Sequence, residues 1–190
     1  GGRIAATLAG PEGFDAIARE SRRDLALAHE DSTSCHARNA RVLADRIGRL
    51  GDRFIVWWSR AAPPHPVALR YIEAALPGPM DPDHRALVLE TGCIRIAGPA
   101  GGPDWTFPGS VEGGAPWTNL AEQSQLRVPA GLALVPVAFR EGDAETLGYR
   151  PDGQVVRWHP AGDPVAMDCP DVDHLIAQIL EGLEVRVSTT

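Results

Sequence analysis

The sequence predicts an α+β fold, a small and mostly antiparallel sheet flanked by helices, with a helical extension at the N-terminal end. Three observations predict it. Two capped helical segments, Val67–Leu76 and Pro82–Thr91, lead directly into an alternating strand, Cys93–Ala97. Strand-forming runs then flank a Pro151-Asp152-Gly153 turn, and the last apolar stripe, within Asp173–Leu183, has helical spacing. The expected division is residues 1–60 as a helical extension with a short strand and residues 61–190 as the α+β domain.

Residues Pro11–Leu50 read as helical, with a better-defined helix from Cys35 to Arg49 that turns Val42, Leu43, Ile47 and Leu50 to one side. Gly51 is placed to end it in the left-handed region. Phe54-Ile55-Val56-Trp57-Trp58 is a continuous apolar run of strand formers, hence a buried strand. Pro63, Pro64 and Pro66 forbid helix or central strand and make a stiff connector, from which Pro66 opens a helix with Val67, Tyr71, Ile72 and Ala75 inward. In the next helix Asp81 is the expected N-cap, Pro82 takes the first helical position, Asp83 lies in the first turn and Gly92 lies just beyond the end.

The Gly98–Pro129 stretch is rich in glycine and proline and reads as a long loop, mobile or binding, that carries Trp105 and Trp117. Leu132–Phe139 reads as a strand, but Pro136 removes one ladder N–H and predicts either a sheet edge or a bulge. Thr146–Arg150 and Gln154–His159 flank Pro-Asp-Gly, where proline presets one turn angle and glycine accepts positive φ. Asp171 is the expected N-cap of the last helix, whose inward stripe is Val172, Leu175, Ile176, Ile179, Leu180 and Leu183.

Composition narrows the function classes. The net charge is −7, and all 18 basic residues are arginine. An acidic chain without basic clusters is poorly suited to nucleic acid; it is suited to a basic protein partner. No apolar run approaches the roughly 20 residues that cross a bilayer, so no membrane association is expected. Cys35, Cys93 and Cys169 are odd in number and widely spaced, which predicts free thiols and a cytoplasmic location.

The stretch from Tyr71-Ile72-Glu73-Ala74-Ala75-Leu76-Pro77 through Asp81-Pro82-Asp83-His84 to Glu90-Thr91-Gly92 resembles the opening of the SUKH superfamily. Members of that family share a helix ending near Leu-Pro, a short gap, a second helix and a Gly exit into the first strand. Further on, Leu134-Val135-Pro136-Val137, the acidic Glu141-Gly142-Asp143, a strand pair and the closing helix follow in the family's order, so that the likeness spans residues 66–184. The family holds a fungal cell-wall-synthesis regulator and many bacterial toxin-immunity proteins. The resemblance implies a single domain that binds another protein and has no active site of its own. The N-terminal 60 residues have no counterpart in it, and the Gly98–Pro129 insertion is long for it.

Catalytic and ligand motifs are sparse. There is no G-x-S-x-G elbow. The glycine-rich Gly98–Pro103 is broken by proline, lacks a Lys-Ser/Thr ending and opens no helix, so it makes no phosphate cradle. Cys35-His36 and the Cys169/His174 pair are the nearest approach to zinc spacing, and neither supplies a closed four-ligand set, so no metal and no cofactor are expected. Cys93 with His84 or His159 is the one combination that invites nucleophilic chemistry.

The primary expectation is a non-catalytic protein-binding module, in the manner of an immunity protein that neutralises a basic bacterial toxin. Its expected contacts are Trp105, Trp117, Asn119, Glu141, Asp143 and Glu145, aromatic anchors beside acidic rim residues. Asp163, Asp168, Asp171 and Asp173 form a second acidic segment. Two alternatives belong to other classes: a small accessory or tailoring enzyme built on Cys93, His84 and His159, and a scaffold or regulatory subunit that self-associates through residues 1–60. Oligomeric state is not legible in the sequence.

Overall fold

A computed structural model describes residues 35–50, 54–58, 66–97, 105–109, 119–129, 131–140, 142 and 144–188. In chain order the elements are α1 (Cys35–Leu50), β1 (Ile55–Trp58), α2 (Pro66–Ala75), α3 (Pro82–Thr91), β2 (Ile94–Ala97) and β3 (Trp105–Phe107). They continue as α4 (Leu120–Arg127), β4 (Val135–Arg140), β5 (Thr146–Tyr149), β6 (Val155–Trp158), β7 (Val165–Ala166) and α5 (Val172–Ser188). The expected helical stretch before Cys35 lies outside the described residues.

Among the described residues seven strands lie side by side in chain order, and every strand-to-strand pairing is antiparallel. The α+β class expected from the sequence is therefore the observed one. Directly paired residues share a sheet face, and the register sorts the two faces. Ile94, Ile96, Trp105, Phe107, Ala138, Leu147, Tyr149 and Val155 fall in the main core with apolar residues of α1, α2, α3 and α5. The opposite face carries the row Arg95, Thr106, Phe139, Thr146 and Trp158. There the Arg127 guanidinium of α4 lies 3.8 Å above the Phe139 ring, and Val128, Leu134, Val156 and Trp158 form a smaller apolar cluster.

The boundary expected at residue 60 does not divide this core. β1 pairs with β2, and Ala40, Leu43, Ile47 and Leu50 of α1 join the same cluster as Leu175 and Leu180 of α5. The described residues 35–50 and 54–58 thus belong to the same packed body as the other elements of the main core. Two inward stripes are rotated from expectation. Small alanines, Ala37, Ala40 and Ala44, bring α1 close to its neighbours, and Val42 is left 59% exposed. Among the described side chains of α2, Leu69 and Ile72 are buried and Tyr71 points outward at 62% exposure.

The Gly98–Pro129 stretch is also corrected. It contains a strand, β3, paired between β2 and β4, and a helix, α4, capped by Asn119. A three-residue strand and a polar eight-residue helix carry too little periodicity to stand out among glycines and prolines. Of the two readings of Pro136, the bulge is the observed one. β4 sits between β3 and β5, and its register with β5 slips between Pro136 and Ala138. Opposite Pro136, Gly148 lets the strands close, because a Cβ there would lie 2.2 Å from the Val135 carbonyl oxygen.

Candidate functional site

Three helix starts meet at one corner of the molecule. At the first, the Asp81 carboxylate caps α3 by accepting from the backbone N–H groups of Asp83 at 2.9 Å and His84 at 3.3 Å. Asp171 does the same for α5, accepting from the His174 N–H at 2.9 Å, and the His174 ring Nδ1 lies 2.7 Å from the same carboxylate oxygen. His36, in the first turn of α1, places Nδ1 2.7 Å from Asp83 Oδ1. Farther along, Arg41 lies 3.8 Å from Glu90, so α1 and α3 run in the same direction with their N-termini together.

Four carboxylates and two imidazoles therefore share this corner: Asp81, Asp83, Asp171 and Asp173 with His36 and His174. Their electrostatics are coupled. Burial pushes the Asp173 carboxyl up, and the negative charges of Asp83, Asp171 and Asp81 push it further. Its Oδ1 is buried without a hydrogen-bond partner among the described residues. Asp81 is also raised, by burial first, against the pull of its two capping bonds. At Asp171 the effect of burial is outweighed by the bonds from His174, which hold the carboxyl below its usual range. The Asp171 bond in turn raises His174.

A neutral layer lies beneath the acids. The Tyr149 hydroxyl on β5 accepts from the Asp81 backbone N–H at 2.7 Å and stands 3.2 Å from His84 Nδ1. The two rings meet edge to face, with centroids 5.8 Å apart. Burial brings His84 down to about 4, so its imidazole is neutral at physiological pH. Burial also pushes the Tyr149 phenol well above its ordinary range. This pair ties the start of α3 to the middle of the sheet.

The residues expected to contact a partner have other environments. Trp105 lies in β3, 8% exposed within the main core, with Arg140 5.8 Å from its ring centroid. Truncating it to alanine would therefore disturb the core. Asn119 caps α4, accepting from Ala121 N–H at 2.9 Å and Glu122 N–H at 3.3 Å. Glu145, half-buried, is paired within the molecule with Arg140 Nη2 at 2.8 Å and Arg157 Nε at 3.8 Å. Trp117, Glu141 and Asp143 lie outside the described residues.

The residues offered for nucleophilic chemistry are likewise held apart in their bonding. Cys93 is fully buried, and burial pushes its thiol up to about 12 despite a backbone hydrogen bond from Gly109, so it stays protonated. His84 is engaged with Tyr149. His159 is exposed and accepts from the Ala161 N–H of its own turn at 3.1 Å. Cys169 and His174 both turn to Asp171, the thiol to its carbonyl at 3.2 Å and the ring to its carboxylate. Among the described residues no three His, Cys, Asp or Glu groups are arranged to hold a metal ion.

The corner was partly signalled by sequence. Asp81-Pro82-Asp83 and Asp171-Val172-Asp173 repeat one pattern, a capping aspartate with a second acid in the first turn. Each pattern marks a helix start. Nothing local says that the two starts converge, or that His36 joins them. The chain matches no family model, and neither curated proteins nor solved structures yield a match.

Proposed function

We propose that this protein is a non-catalytic binding module of the SUKH type, working in the manner of an immunity protein, and that the acidic corner receives a basic protein partner. The observation that carries this reading is the convergence of Asp81, Asp83, Asp171 and Asp173, two of them, Asp81 and Asp173, raised by burial and by neighbouring carboxylates. Crowded like charges oppose folding, so an arrangement that retains them is suited to a cationic partner, whose arginine or lysine side chains relieve the repulsion. The N-terminal helix dipoles offset part of the charge, about half a unit at each helix start.

This moves the docking surface from the Trp105–Glu145 region to the starts of α1, α3 and α5, because Trp105 and Glu145 are engaged internally. The accessory-enzyme alternative gains no support from Cys93, whose thiol is buried and protonated.

The test keeps the fold and removes the charge. Asparagine caps helices about as well as aspartate, so a variant carrying Asp81→Asn, Asp83→Asn, Asp171→Asn and Asp173→Asn retains the helix starts. Affinity capture from the native host, followed by mass spectrometry, should recover a basic protein with the unaltered chain. Raised salt should release it, and the variant should fail to retain it while melting as a folded protein. Recovery of the same set of proteins by both forms would refute the acidic corner as the docking surface.

A further inference from the structure

We infer that the start of α3 is held by an acid-released clamp: a hydrogen-bond chain from the Asp81 backbone N–H through the Tyr149 hydroxyl to His84 Nδ1 stays closed only while that ring nitrogen carries no proton. The Asp81 N–H donates to Tyr149 Oη at 2.7 Å, and the hydroxyl in turn donates to His84 Nδ1 at 3.2 Å. Each donor in the chain then has an acceptor. A proton on Nδ1 turns the ring from acceptor to donor and strands the phenol hydrogen in the interior, where an unpaired polar group is costly.

The surroundings offer an imidazolium no counter-ion. His84 and Tyr149 are both buried, and their rings meet edge to face. Burial brings His84 down to about 4. The charged groups nearby are engaged with one another. Asp81 caps the N–H groups of Asp83 and His84, and Asp83 is bonded to His36 of α1. Glu73 of α2 is paired with Arg85, and Asp171 of the α5 start with His174. Arg41 and Glu90 pair farther along α1 and α3. Asp81 and Asp173 of α5 have raised carboxyls, so acid discharges them instead of leaving them as partners for the ring.

Only one end of α3 is free to move. At its far end the Gly92 N–H bonds to the Val88 carbonyl and the chain runs directly into β2, which is paired on both sides. The near end rests on β5 and the turn after it: Asp81 is bonded to Tyr149, and Gly78 lies so close to Pro151 that a Cβ would come 2.9 Å from Cγ. Release therefore lifts the Met80–His84 turn while the sheet stays paired. The sign follows from the two states of His84. An opened turn binds a proton at the ordinary 6.5 and a closed one only at about 4, so opening is favoured as pH falls from 6.5 toward 4. The raised Asp81 and Asp173 pull the other way, because the closed state takes up their protons more readily. The clamp belongs to the fold and holds whichever surface receives a partner.

Native-state amide hydrogen exchange of the full chain, followed by NMR, tests it. The amides to watch are Asp81, bonded to Tyr149, and Arg85, bonded to the Asp81 carbonyl, with those of β6 as the reference. The α3-start amides should be less protected than β6, as local opening requires, and their protection should fall roughly tenfold or more between about pH 7 and about pH 4.5. A His84→Gln variant, whose side-chain oxygen still accepts from the phenol, should lose most of that fall. Protection equal to that of β6 at both pH values would show that the turn opens only with the whole molecule. An equal fall in the variant would assign it to other groups, and either result overturns the clamp.

Two further readings keep the test decisive if His84→Gln does not fold. In the unaltered chain the His84 ring resonances should stay in place between about pH 7 and about pH 5.5; a ring that titrates there while the protein remains folded would overturn the proposal. Tyr149→Phe removes the hydroxyl and should leave the Asp81 and Arg85 amides less protected at about pH 7, with β6 unmoved. Unchanged protection in that variant would show that the chain does not hold the turn.

Discussion

At the scale of single residues, His84 has the clearest energetic signature. It is neutral in the folded protein because burial brings it down to about 4, whereas its ordinary value is 6.5. The unfolded chain therefore binds a proton that the folded chain refuses. Its contribution to stability is fully present above pH 6.5 and is lost as pH falls toward 4, a change of about 3 kcal/mol. Asp81 and Asp173 act with the opposite sign, because raised carboxyls favour the folded state as they become protonated. A comparison of unaltered chain and variant isolates the histidine. Urea titrations across this range should give His84→Gln a stability slope shallower by one proton than the unaltered chain; equal slopes would show that the imidazole is not held neutral. Residue chemistry of this kind was poorly legible in the sequence. The sequence offers His84 only as a candidate partner for Cys93, and the packing of Tyr149 against it is what shows it as part of the interior.

At the scale of elements, legibility followed the local physics. Asp81 with Pro82, Gly92 at φ 70° and Gly153 at φ 85° are where cap and turn chemistry puts them. Such signals act over a few residues and need no knowledge of the rest of the chain. β3 and α4 escaped notice because their meaning is tertiary: Trp105, Thr106 and Phe107 become a strand only by lying between β2 and β4. The α4 start did carry one local mark, Asn119 followed by Glu122, the spacing of an N-terminal capping pair. That cap is a quantitative handle. Asn119→Ala removes the acceptor for two backbone N–H groups and should lower stability by about 1 kcal/mol, whereas Asn119→Asp should restore most of it. Equal chemical-denaturation midpoints for all three forms would show that α4 is held by its packing alone. The candidate corner divides in the same way. Its two capping aspartates were readable one helix at a time, and their meeting with His36 was not.

At the scale of the whole molecule, the strict chain order of the sheet has a kinetic consequence. β4 through β7 are joined by short connections, as at the Pro151-Asp152-Gly153 turn, while β1 reaches β2 only after α2 and α3 intervene. Closing a short loop loses less entropy than closing a long one. Assembly should therefore nucleate in the β4–β7 half, with the β1 edge zipping on last. In a pulse-labelling exchange experiment, amides of β5 and β6 should gain protection before those of β1, and β1 should be the first to open again under mild denaturant. Because α1 immediately precedes β1 in element order, loosening of that edge would also loosen the helix whose His36 is bonded to Asp83, so the acidic corner would lose one of its three helix starts before the rest of the molecule opens.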